Sequence, residues 1–149
     1  MGYDHMTLQE VDDEATLDKP WIYQRKRNGA RVFVNTVDGQ ITGMFNRSHA
    51  PCLSLYPELR NAKISLKGKN VLDCEVVVEI DGEDVFYGEK DRLGRGLDQR
   101  RSAPFSVNDK IVKECPVKLV VLDIIKCEDF TDRATEWIVN KPYKERCEL

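Results

Sequence analysis

Alternating apolar and polar residues on both sides of two Asp-Gly pairs, Asp38-Gly39 and Asp81-Gly82, form the clearest pattern in the sequence. Asp-Gly between β-prone runs is typical of a type I′ turn, because both central residues of that turn have positive φ. The sequence therefore predicts two β-hairpins. Their strands are 31–37 with 40–45 and 71–80 with 83–87.

A third apolar run and several short helical patterns follow. Residues 117–125 are apolar enough to predict a central strand. The spacing of Phe130, Ala134, Trp137 and Ile138 predicts a helix, and Pro142 is suited to the first turn of another that runs to the terminus. Shorter helices are predicted within 57–62 and 98–113. These elements predict an α+β fold that is rich in strands over its first two thirds.

Length and composition narrow the class of protein. The chain has 149 residues, 41% of them hydrophobic and 33% charged, which suits one domain with its own core. No apolar run approaches the ~20 residues that span a bilayer. Residues 1–13 are polar and acidic, so they do not resemble a secretory signal.

The cysteines favour a reducing compartment. There are five cysteines with no Cys-x-x-Cys pair, and only two histidines, His5 and His49, so a structural metal site is not favoured. We expect buried thiols that behave as small hydrophobic groups, and an intracellular protein, cytoplasmic or nuclear.

Charge is unevenly distributed along the chain. Residues 1–20 contain six acidic residues and one basic one, whereas residues 21–31 contain four basic residues and no acidic one. A second basic concentration lies within 90–101. Such clusters indicate either solvated surface or a surface that faces an anion. We interpret 1–20 as an acidic N-terminal lead and 21–149 as the folded domain.

Lys26 is the candidate nucleophile. It lies between Arg25 and Arg27, with Arg31 five residues further on. Crowded cations lower the pKa of a lysine, and partial burial would act in the same direction. A neutral amine beside anion-binding arginines can attack phosphorus or carbonyl carbon. From these residues alone, a basic loop that caps a hairpin is the alternative.

Lys26-Arg27-Asn28-Gly29 followed by Arg31 resembles the nucleotidyl-transfer motif Lys-x-Asp-Gly-x-Arg of ATP-dependent DNA ligases and their relatives. Further segments match this family in order: Phe45-Asn46-Arg47-Ser48, Leu72-Asp73-Cys74-Glu75, the strand 120–125, and 142–146 with Leu149. The chain thus resembles the N-terminal part of a ligase adenylation domain. This resemblance implies the α+β nucleotidyltransferase fold shared by ligases and capping enzymes, in which antiparallel sheets are flanked by helices.

The resemblance also implies roles for individual residues. Lys26 would attack the α-phosphate of ATP and form lysyl-AMP. Arg31 and Arg47 would contact the ribose and phosphates of the nucleotide, or the 5′-phosphate of the nucleic acid. Glu75 would lie near the ribose and bind Mg²⁺, and Arg146 would contact phosphate.

The base-binding residues depart from the family pattern. Gln24 stands where family members usually have Glu and would read the adenine edge, while Leu122 replaces the aromatic residue that stacks on adenine. Asn28 replaces the motif's Asp, and Cys74 replaces a Gly. Two later motifs of the family, an acidic strand and a Lys-x-Lys strand, do not occur in these residues, so we expect a partial domain.

Three hypotheses about function follow. The first is the adenylation domain of an ATP-dependent DNA ligase, acting on nicked DNA in repair or replication, with RNA as a possible substrate. The second is a non-catalytic or truncated ligase-like domain that binds nucleotide or nucleic acid. The third is an assembly subunit that uses the fold as a scaffold. An exposed sheet edge also predicts dimerisation.

For several of these residues, a purely structural role is the alternative to a functional one. Glu75 would face solvent if its strand were exposed, Arg47 would be an ordinary loop arginine, and Arg146 would only favour the end of its helix. Asp123, within an apolar strand, is either a paired buried carboxylate or an edge residue.

Overall fold

The computed structural model describes residues 24–87, 96–101, 109–127 and 143–146. The acidic lead 1–20, the helix predicted from Phe130 to Ile138, both tryptophans and Cys147 lie outside the described residues. The division of the chain at residue 20 therefore stays a prediction.

The described part is built around an antiparallel sheet of five strands. The strands are β1 (Ala30–Val37), β2 (Gln40–Asn46), β3 (Lys69–Ile80), β4 (Glu83–Asp84) and β5 (Val117–Cys127). β1 pairs with β2 and β3, and β3 also pairs with β4 and β5. The longest strand, β3, therefore holds the sheet together.

Both predicted hairpins are confirmed. The turns between β1 and β2 and between β3 and β4 have positive φ at Asp38 (48°), Gly39 (80°), Asp81 (52°) and Gly82 (82°). These are the signs of φ that a type I′ turn requires. β4 is shorter than the predicted run 83–87 and ends at Asp84.

The prediction that 117–125 forms a strand is confirmed. Among the described strands, however, this strand does not lie in the centre of the sheet. There β5 pairs with β3 alone, and its Val121 is 46% exposed. Two register shifts in the β3–β5 ladder leave Leu122 and Ile125 without directly opposite residues. Such bulges bend a strand and redirect its side chains.

Alternation along the strands separates a hydrophobic face from a second face that carries charged residues. Val32, Val34, Leu72, Cys74 and Val76 lie in the hydrophobic core on one face of β1 and β3. Residues at the intervening positions, which include Arg31, Asp73 and Glu75, belong to the opposite face because successive strand residues point to opposite sides. The candidate site uses this second face.

Helices in the described part are short, so the predicted flanking helices are supported only loosely. The segment predicted over 57–62 contains a 3-10 helix, Pro57–Asn61, which follows another at Leu53–Leu55. α1 (Asp98–Arg101) lies within the predicted range 98–113, and α2 (Asp109–Glu114) ends one residue beyond it. α3 (Tyr143–Arg146) follows Pro142 in the sequence. None of the described helices has the length and apolar character needed to cross a membrane.

Arg100 from the second basic concentration points inward. Its side chain is fully buried and pairs with Glu58. It also donates to the backbone carbonyls of Leu55 (3.2 Å) and Cys115 (3.0 Å). Because every contact is internal, Arg100 stabilises the 3-10 helices and does not contribute to an anion-facing surface.

The expectation of buried thiols is confirmed in the described part. Its four cysteines, Cys52, Cys74, Cys115 and Cys127, are all buried. Burial raises the pKa of the Cys74 thiol. These side chains act as small hydrophobic groups in the core.

Candidate functional site

The loop before β1 is attached to the β3–β4 hairpin. Arg25 donates to the carbonyl of Gly82 (3.3 Å), and Arg27 pairs with Glu79 (3.1 Å) and Asp84 (2.8 Å). Lys26, between these two arginines, is exposed, so the partial burial considered from the sequence is not found. The hairpin therefore holds the neighbours of Lys26, while Lys26 itself is exposed.

Gly29 allows β3 to approach this loop closely. A Cβ at Gly29 would lie 2.2 Å from the carbonyl oxygen of Val76 and 2.7 Å from Cγ1 of Val77. Real Cβ atoms essentially never come so close to other heavy atoms. The absence of a side chain at Gly29 therefore permits a close approach to the neighbouring strand.

A cleft opens where the β1–β2 ladder ends. The last pair of this ladder is Val32 with Asn46, so residues 29–31 extend beyond β2. The cleft has a volume of about 480 Å³, and its lining includes Arg31, Arg47 and Glu75. Three of the predicted site residues therefore meet in one cavity. Tyr56 and Ser48 also line it.

Arg47 reaches the cleft from a tight turn that follows β2. The side-chain oxygen of Asn46 accepts hydrogen bonds from the backbone N–H groups of Ser48 and Ala50, both at 2.9 Å. His49 has φ of 62°, and its ring stacks on Phe33 at a centroid distance of 6.0 Å. The Asn46 side chain thus shapes the turn, a role that its place in the motif did not indicate.

Glu75 combines partial burial with a cationic neighbour. Burial raises the pKa of the Glu75 carboxyl group. The positive charge of Arg31 and a hydrogen bond that the Glu75 carboxylate accepts from the Gly29 backbone act in the opposite direction. Glu75 is directly opposite Arg31 in the β1–β3 register. It therefore does not face open solvent, the alternative that the sequence left open.

Two arginine–aspartate pairs lie beside this cleft. Arg31 makes a two-point contact with Asp73, which raises the pKa of the arginine. Arg146 makes a similar contact with Asp123, through Nε (2.7 Å) and Nη2 (2.8 Å). Asp73 and Asp123 are opposite one another on β3 and β5. Asp123 is thus a paired buried carboxylate, the first of its two predicted alternatives.

The base-binding candidates lie together around Tyr143. Gln24 donates to the Tyr143 hydroxyl, which in turn donates to the carbonyl of Leu122 (2.9 Å). The Arg146 guanidinium also lies 5.5 Å from the centre of the Tyr143 ring. Sequence reasoning missed Tyr143; its only signal was a tyrosine at the start of the helix predicted after Pro142.

The predicted site residues thus form two groups, joined by the two ion pairs. Arg31, Arg47 and Glu75 share the cleft, while Gln24, Leu122 and Arg146 surround Tyr143. Lys26 lies on the loop that connects Gln24 to Gly29. Within the described ranges, no group of three or more His, Cys, Asp or Glu side chains could hold a metal ion by itself.

The fold and site define a class: an antiparallel-sheet domain whose first strand follows an exposed lysine and borders a cleft lined by arginines and a carboxylate. Comparison with models of protein families matches residues 7–149 to the ATP-dependent DNA ligase domain. Because the match covers nearly the whole chain, the chain belongs to this family. The resemblance inferred from the motifs is confirmed.

Proposed function

We propose that this chain is the adenylation part of an ATP-dependent DNA ligase, with Lys26 as the residue that accepts AMP. One observation carries the proposal: the cleft that combines Arg31, Arg47 and Glu75 begins at Gly29, three residues after Lys26. Three residues of extended chain span at most about 11 Å, so the Lys26 backbone lies within that distance of the cleft lining.

The reaction is a transfer of the adenylyl group. The deprotonated Lys26 amine attacks the α-phosphorus of ATP, a P–N bond forms, and the bond from this phosphorus to the bridging oxygen of pyrophosphate breaks. The nitrogen loses its second proton to solvent. Arg31 and Arg47 supply positive charge to the phosphate oxygens on which negative charge is concentrated.

Glu75 is suited to bind Mg²⁺. This ion is commonly held in proteins by one or two carboxylates together with substrate phosphates and water, so one carboxylate in a phosphate-binding cleft is sufficient. The raised pKa of Glu75 also indicates a carboxylate whose charge its surroundings do not fully compensate. Bound Mg²⁺ would neutralise phosphate charge as pyrophosphate leaves.

Gln24 and Leu122 are proposed to face the adenine. Gln24 donates its amide N–H to the Tyr143 hydroxyl, and this contact orients the amide. Its amide oxygen would then accept a hydrogen bond from the exocyclic amino group of adenine. Leu122, at the β5 bulge, would offer apolar contact to the base. Arg146, which Asp123 holds in place, would contact the phosphates of the nucleotide.

A non-catalytic nucleotide-binding domain is the second candidate. The exposure of Lys26 and the pairing of Arg31 with Asp73 favour it. Incubation with ATP labelled at the α-phosphate plus Mg²⁺ separates the two functions. Adenylation predicts label that remains on denatured wild type and on a Lys63→Ala control, and is lost in Lys26→Ala. Binding without retained label would support the second candidate.

The acceptor and the assembly state complete the proposal. We infer nicked DNA as the acceptor, as in repair or replication, with RNA as the alternative because of Asn28. Among the described strands, β5 pairs with β3 alone, which supports dimerisation through the other edge of β5. Light scattering that shows only monomer over a wide concentration range would contradict the dimer.

A further inference from the structure

The Asp84 carboxylate lies where the β3–β4 hairpin meets the loop before β1. Its side chain is only 4% exposed. Oδ2 accepts a hydrogen bond from the backbone N–H of Asn28 at 2.9 Å, and Oδ1 accepts one from Arg27 Nη2 at 2.8 Å. Both partners belong to the two residues that directly follow Lys26.

Further contacts strengthen this attachment. Arg27 Nη2 also contacts Glu79 at 3.1 Å, and Glu79 pairs with Lys118 of β5 at 2.7 Å. These two cations, Lys118 first, lower the pKa of the Glu79 carboxyl. On the other side of Lys26, Arg25 donates to the Gly82 carbonyl at 3.3 Å. The loop is therefore held on both sides of Lys26 by one hairpin.

The hairpin does not need these contacts for its own structure. Its Asp81-Gly82 turn has the φ values of a type I′ turn, and the Val85 N–H donates to the Val78 carbonyl at 2.8 Å. Residues 24–28 belong to no helix or strand. A backbone segment without such pairing depends on side-chain contacts for its order. The two Asp84 contacts supply order to the loop.

We propose that Asp84 is a positioning residue for Lys26: it fixes the backbone of the lysine-bearing loop so that the amine is directed at the bound nucleotide. This inference rests on the proposed function. Asp84 would contact neither nucleotide nor metal, and its effect would pass through Arg27 and Asn28. Loss of its contacts should therefore slow the transfer step without weakening ATP binding.

The charge of Asp84 makes this expectation specific. The Asp84 carboxyl group is close enough to Glu75 to contribute to the raised pKa of the Glu75 carboxyl. Removing a negative charge near the cleft does not disfavour an anionic nucleotide. A lower maximal rate with an unchanged or lower half-saturating ATP concentration is thus the signature of lost positioning, whereas general damage to the cleft would raise that concentration.

The test measures the rate of protein labelling from ATP carrying label at the α-phosphate, over a range of ATP concentrations, together with thermal unfolding of each variant. Asp84→Ala should lower the maximal rate by about 10²-fold, the effect typical of small misplacement of a reacting group. Asp84→Asn keeps one acceptor oxygen and should have an intermediate rate. Glu83→Ala, at the exposed neighbouring position of β4, is the matched control and should label like wild type.

The outcomes separate this inference from the proposed function. If wild type labels and Asp84→Ala labels within about twofold of it, or differs only in half-saturating ATP, the positioning role is wrong and the proposed function stands. If wild type acquires no label, both are wrong. If Asp84→Ala does not fold, Asp84→Asn decides the question: a rate equal to that of wild type overturns the role.

Discussion

Replacing Asp123 by alanine removes the carboxylate that holds Arg146 against β5. The side chains of these residues are 7% and 8% exposed, and two hydrogen bonds of 2.7 and 2.8 Å join them. The guanidinium would remain buried without the Asp123 carboxylate. Removing one partner of such a buried pair typically costs about 3–5 kcal/mol.

The neighbouring Asp73 places the expected cost at the lower end of this range. Asp73 is opposite Asp123, so the substitution also removes a like-charge neighbour. Like charges directly opposite one another destabilise a sheet by a fraction of 1 kcal/mol, to about 1 kcal/mol. We therefore expect Asp123→Ala to lower the free energy of unfolding by about 3 kcal/mol. For a chain of this length, that corresponds to a fall in Tm of about 6–12 °C.

Urea denaturation followed by far-UV circular dichroism would measure this change, with two controls. Glu114→Ala breaks only the exposed Lys110–Glu114 contact of 4.0 Å, so it should cost less than about 0.5 kcal/mol. The double variant Asp123→Leu/Arg146→Met removes both charges and should recover most of the lost stability. A cost below about 1 kcal/mol for Asp123→Ala, or a double variant no more stable than the single one, would show that Asp123 does not compensate a buried guanidinium.

Three further predictions concern the cleft and the core. Gly29→Ala should destabilise the protein by about 1–3 kcal/mol in urea denaturation, because its Cβ would meet the Val76 carbonyl; an unchanged midpoint would contradict this close approach. Because burial raises the pKa of folded Glu75, its favourable contribution is present below the ordinary carboxyl pKa and is lost as pH rises through the folded value. The stability of Glu75→Gln relative to wild type should therefore increase from acid to neutral pH, and a pH-independent difference would count against the raised pKa. Cys74, buried with a raised pKa, should resist alkylation at pH about 8 until the protein is unfolded, which peptide mass spectrometry can follow.

Much of the sheet could be predicted from local sequence. Asp-Gly specifies positive φ at adjacent positions, so both hairpin turns follow from two residues each. Alternation along β1 and β3 also predicts that Arg31 and Glu75 belong to strands with one polar face. The position of β5 could not be read in this way, because an apolar run of its length fits a central strand and an edge strand equally well.

The partners of the charged residues depend on register and on contacts distant in sequence. Arg31 meets Asp73 across 42 positions, and Asn28 meets Asp84 across 56. No local pattern specifies which carboxylate faces which cation. The β5 bulge at Leu122 and the role of Tyr143 are equally inaccessible, since a register shift depends on how two paired strands fit together.

The attachment site of AMP tests the central claim most directly. Wild-type protein would be incubated with ATP and Mg²⁺, digested, and analysed by tandem mass spectrometry to locate any adenylylated residue. We expect AMP on Lys26 and none on the neighbouring arginines or on Lys63. Adenylylation at another residue, or a fully unmodified Lys26 in protein that binds ATP, would contradict this expectation.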